Sequence, residues 1–88
     1  MLVQQAGASV SSIRSDLYRT MIELLVAARK RAGITQAELG KKLGYRQTFI
    51  SKLELGERRL DAAEFVMVCR TIGVDPYEIM QKAEKRLD

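Results

Sequence analysis

Two glycines four residues apart, Gly40 and Gly44, interrupt a segment that is otherwise made of good helix formers, "TQAELGKKLGYRQTFISKLELGERR". A glycine inside a helix costs about 1 kcal/mol relative to alanine, so Gly40 weakens a helix that Gly44 then ends. A second apolar periodicity starts directly after Gly44. The two helices on either side are joined by only Gly44 to Arg46. So short a connection sends them off at a steep angle and asks for a positive φ at its corner, which glycine supplies without steric penalty. At the inner elbow of such a bend the two helices nearly touch, so the residue facing the contact must be very small, and Gly40, one turn before the corner, answers that need.

The rest of the chain supports a small helical domain. It has 88 residues, 47% of them hydrophobic, few aromatics and a single proline, which argues against disorder and against a β-sandwich. Leu17, Met21, Leu24, Leu25, Ala28 and Ala32 recur at helical spacing, predicting a first helix that begins between Ser12 and Asp16 and ends at Gly33. Thr35 with Glu38 is a capping box for the second helix, with Leu39 and Leu43 on its buried side. The third is expected over Gln47 to Leu55, with Ile50 and Leu53 apolar and Gly56 closing it. Asp61 with Glu64 opens a fourth that Gly73 stops, and Asp75, Pro76 and Glu78 open a fifth running to about Arg86. The expected fold is all-α with five short helices. Residues 15–88 form one domain, preceded by a tail, 1–14, that is either disordered or an arm for dimerisation.

Charge narrows the function. Residues 29–59 carry nine Lys or Arg against three Glu, a net +6, while the remainder of the chain is −2 within an overall +4. A basic middle between acidic flanks suits a nucleic-acid face, although a solvated lysine-rich surface reads equally well from charge alone. The chain has no histidine, which removes histidine-based acid–base catalysis and metal ligation. It also lacks a phosphate-cradling loop followed by lysine and a carboxylate cluster, so neither an enzyme nor a cofactor or metal site is expected. No apolar run is long enough to span a membrane, and "MLVQQAGASVSSIR" is no secretory signal. The single cysteine, Cys69, suits a reducing cytoplasm and reads as a small core residue rather than a redox thiol.

With a small residue, a glycine corner and a downstream Ile50 in register, "AARKRAGITQAELGKKLGYRQTFISKLELGERRL" and the later "IGVDPYEIM" resemble the phage-repressor and Cro-type (XRE-like) helix-turn-helix regulators. The resemblance covers Leu17 to about Met80. It implies a lambda-repressor-like bundle and sequence-specific binding of double-stranded DNA, with the third helix in the major groove. On that resemblance Arg46, Gln47, Thr48, Ser51 and Lys52 are the candidates for reading bases. Gln47 suits adenine, Thr48 a thymine methyl, and Lys52 either a guanine edge or a phosphate. Thr35 and Gln36, at the start of the second helix, and Arg58 and Arg59, in the loop after Gly56, are the candidates for backbone phosphate. Lys41 and Lys42 read equally as solvated charges. Arg29 and Glu54 match a structural ion pair of the family.

Three departures from the family pattern stand out. Arg46 occupies a position where Ser or Thr usually caps the recognition helix, leaving its guanidinium for a phosphate or a guanine. Leu60 replaces a proline, and Leu55 stands where a polar residue often faces the backbone. Phe49 is expected to pack on the following loop rather than on a base. Because one recognition helix reads few base pairs, a homodimer is expected, through either Val66–Cys69 or the apolar residues Ile79, Met80, Ala83 and Leu87 of the last helix. The alternative function is an antitoxin or similar module that neutralises a partner protein.

Overall fold

A computed structural model describes residues 10–87, with side chains from residue 14. The described residues form five helices: α1 (Val10–Arg31), α2 (Gln36–Leu43), α3 (Gln47–Glu54), α4 (Ala62–Ile72) and α5 (Pro76–Leu87). Helix α1 starts at Val10, earlier than the apolar spacing suggests, so residues 10–14 belong to a helix and the rest of the expected tail lies outside the described residues.

Both capping boxes form. Thr35 accepts a hydrogen bond from the Glu38 N–H at 3.0 Å while its own N–H donates to the Glu38 carboxylate at 2.9 Å. Asp61 and Glu64 repeat the pattern at α4, at 2.7 and 2.9 Å. These reciprocal bonds satisfy donors that the first turn of a helix leaves unpaired, which is why the two starts are legible from residue types alone.

The core joins all five helices. Ile22, Leu25 and Ala28 of α1 meet Leu39 of α2, Ile50 and Leu53 of α3, Phe65, Val68, Cys69 and Ile72 of α4, and Ile79 of α5. Ile22 is buried although the expected stripe passed it over, whereas Ala32 is exposed. Helix α1 contacts α3, α4 and α5 together, so it buries a wider arc than a single stripe. Helix α5 spends Ile79 and Ala83 on the protein interior, at 5% and 0% exposure, which removes them from any external surface. In α4, Val66 and Met67 remain outside.

The corner between α2 and α3 takes the form anticipated for it. Gly44 adopts the left-handed conformation with φ 79°. A Cβ built on Gly40 would lie 2.7 Å from the Tyr45 carbonyl oxygen and 3.3 Å from the Arg46 carbonyl carbon. The close approach is therefore to the backbone of the turn and not, as the sequence suggests, between the two helices. The Gly40 carbonyl in return accepts the Tyr45 N–H at 2.8 Å, so the glycine both makes room for the corner and holds it.

Candidate nucleic-acid interface

Helix α3 turns Ile50 and Leu53 inward, at 1% and 4% exposure, and leaves Gln47, Thr48 and Lys52 exposed, with Ser51 half-buried. At about 100° of rotation per residue, Gln47 and Ser51 fall on one side of the outward face and Lys52 on the other, with Thr48 between. Arg46, the N-cap, has extended backbone and no side-chain capping bond. Its exposed guanidinium is thus left available beside the start of α3. Leu55, at the helix end, is 70% exposed.

The orientation of α3 is set by a buried polar network. Arg29 Nε and Nη2 both donate to the Glu54 carboxylate, the second at 2.9 Å, and Nη1 donates to the Ile34 carbonyl at 2.8 Å. The Gln36 amide adds a third donor to Glu54 at 2.9 Å. Glu54 is thereby shared between α1 and α2, and Arg29 also ties down the loop ahead of α2. No buried side-chain nitrogen or oxygen among the described residues lacks a partner. A pair of this kind sets geometry more than it adds net stability, because desolvating two charges offsets much of their attraction. It also cancels Glu54 within the basic segment. Gln36, a candidate for phosphate, thus has one of its two amide hydrogens engaged inside the protein. Thr35 is occupied as a cap.

The loop after α3 is pinned by two arginine–aromatic stacks. Arg58 lies 4.3 Å from the centroid of the Phe49 ring, and Arg59 lies 4.3 Å from that of Tyr18. Phe49 thus meets the following loop through Arg58, as expected, and also stacks on Tyr45 of the preceding turn with centroids 4.2 Å apart. Arg58 also donates to the Arg59 carbonyl at 2.8 Å and pairs with Glu64 at 3.3 Å. Cation–aromatic contacts at exposed sites are worth about 0.5–1 kcal/mol, enough to favour one arginine rotamer. The N–H that Leu60 carries, and that a proline there would lack, donates to the Tyr18 hydroxyl at 2.9 Å. Tyr18 therefore accounts for the departure at position 60. It lies 42 residues away in the chain, and nothing local signals the pairing.

A family model described as helix-turn-helix matches residues 25–79. An XRE-family like protein from Pseudomonas syringae pv. tomato str. DC3000, of known structure, is 46% identical over 89% of this chain and 95% of that one, with a TM-score of 0.82. No curated protein matches. None of the described helices is long and apolar enough to cross a membrane. A tight glycine turn between α2 and α3, an outward polar face on α3, a matching family model and a near-full-length relative agree: the chain belongs to the XRE-family helix-turn-helix proteins, the DNA-binding transcription regulators that its sequence resembles.

Proposed function

We propose that the protein binds double-stranded DNA sequence-specifically, with α3 in the major groove. The observation that carries this is the exposure of Gln47, Thr48 and Lys52 opposite the buried Ile50 and Leu53. A polar face held by a rigid bend and the Arg29–Glu54–Gln36 network has little conformational freedom to lose on entering a groove. Gln47 and Thr48 offer an amide and a hydroxyl with a methyl, matched to adenine and thymine edges. Ser51 borders them. Arg58, Arg59 and the free N–H groups at the start of α2, beside Thr35 and Gln36, suit phosphates. Chemistry is not the expected role, and a cytoplasmic location follows from a DNA partner.

The protein is expected to act as a homodimer, since one short helix specifies too few base pairs. With Ile79 and Ala83 buried, Val66 and Met67 of α4, 38% and 47% exposed, are the favoured self-contact. Sedimentation showing only monomer at micromolar concentration refutes this. The antitoxin alternative draws on the same patch, and co-purification of a small partner protein supports it.

The test of the main reading is selection of bound sites from random duplexes, followed by Gln47→Ala. On the selected site the substitution is expected to cost about 1–3 kcal/mol and to relax preference at one base. Equal losses on selected and scrambled duplexes overturn the role of Gln47.

A further inference from the structure

Arg46 and Lys52 each have two chemically sensible targets, a guanine edge or a phosphate. The fold separates these. Both line an open cleft on one flank of α3, together with Gly44, Tyr45, Thr48, Phe49 and Arg58. Gln47 and Ser51 are not among its walls. We infer that this cleft seats backbone phosphates of one DNA strand, and that Arg46 and Lys52 grip the backbone and read no base. The inference rests on the DNA-binding reading above.

Three observations support it. The first is position. Thr48, Phe49 and Lys52 are neighbours on one helical flank, while Ser51 and Gln47 stand about 100° and about 140° round the helix from Lys52. If the outward centre of α3 meets the floor of a groove, its flank meets the sugar–phosphate wall.

The second is charge. Arg46, Lys52 and Arg58 bring three cations to one cleft. Arg58 has Glu64 as a partner at 3.3 Å, but the side chains of Arg46 and Lys52 have neither ion pair nor hydrogen bond among the described residues. Like charges gathered without counter-charge repel, and a polyanion relieves that repulsion.

The third is apolar surface. The Tyr45 and Phe49 rings, 4.2 Å apart and tilted by 34°, give the cleft an apolar patch beside its cations. Arg58 is already laid across Phe49 with one donor committed to the Arg59 carbonyl. Such a patch suits the non-polar face of a deoxyribose. The cations suit two neighbouring phosphates, whatever the bases between them.

The experiment compares wild type with Arg46→Met and Lys52→Met, which keep the aliphatic stem and remove the charge. Binding is measured by fluorescence anisotropy on the selected duplex and on a scrambled duplex of equal length, between 0.05 and 0.5 M salt. Both residues are exposed, and circular dichroism verifies that each variant folds. One phosphate contact contributes about 0.9 to the slope of log K against log salt. Each variant is therefore expected to lose about eightfold at 0.1 M salt, on both duplexes alike, with the slope reduced by about 0.9. A loss confined to the selected duplex, with altered preference at one base pair, overturns the phosphate assignment while leaving the DNA-binding reading standing. So does an unchanged slope. A wild type that binds neither duplex overturns the functional reading itself, and this inference with it.

Discussion

Replacing Gly40 by alanine sets two effects of opposite sign against each other. Removing a mid-helix glycine favours the helix by about 1 kcal/mol. The new methyl, however, would lie 2.7 Å from the Tyr45 carbonyl oxygen, with the Arg46 carbonyl carbon and oxygen at 3.3 and 3.4 Å. Contacts under about 3 Å must be relieved by movement, and here the neighbour is backbone, which has no alternative rotamer. Moving it stretches the Tyr45-to-Gly40 hydrogen bond and displaces the residue that starts α3. Overpacking of this kind costs about 1–3 kcal/mol, and a rigid neighbour argues for the upper end. The net expectation for Gly40→Ala is a loss of about 2 kcal/mol, or a fall in Tm of roughly 8–16 °C for a domain of this size. Urea and thermal unfolding followed by circular dichroism measure it. Ala37→Gly, at an exposed position of the same helix, is the control, with an expected loss of about 1 kcal/mol from propensity alone. Both changes are thus predicted to destabilise although they alter propensity in opposite directions. A Gly40→Ala protein more stable than wild type would refute the close-approach argument.

Three further outcomes are expected. The Thr35 backbone N–H, and then its hydroxyl, hold the Glu38 carboxyl below its ordinary value of 4.5; because the folded value lies below the unfolded one, this stabilisation is present above pH 4.5 and lost as pH falls through the folded value. The difference in urea midpoint between wild type and Glu38→Gln should therefore narrow below pH 4.5, and a difference constant from pH 7 to 3 contradicts the assignment. Burial raises the Cys69 thiol to about 11, and its side chain is fully enclosed, so thiol reagents are expected to label it only at the rate of unfolding; rapid labelling of native protein would be inconsistent with that enclosure. Tyr18→Phe removes the acceptor for the Leu60 N–H but keeps the ring under Arg59, so it should cost about 1 kcal/mol of stability with the salt slope of DNA binding unchanged, and a lowered slope would show that the hydroxyl positions Arg59.

Much of this protein is written locally. Thr35 with Glu38 and Asp61 with Glu64 announce helix starts because a cap needs only residues three apart. Gly44 announces the corner because a positive φ is a property of one residue. Gly40, Ile50 and Leu53 follow from helical periods of a few residues, so the bend and the outward face of α3 are legible before any coordinates. The resemblance to the family supplied the Arg29–Glu54 pairing, which local spacing does not contain.

Tertiary structure alone decided what depends on residues far apart in the chain. Sequence does not reveal that Gln36 is tied to Glu54, that Tyr18 receives the Leu60 N–H and underlies Arg59, or that Phe49 carries Arg58. Nor does it reveal that Ile79 and Ala83 are consumed inside while Val66 and Met67 stay outside. An apolar stripe states only that a face wants cover. Which element covers it, and which cations end up beside one another in a cleft, is set by how five helices pack at once. Local propensity acts over one turn of helix, whereas burial and charge are properties of the assembled whole.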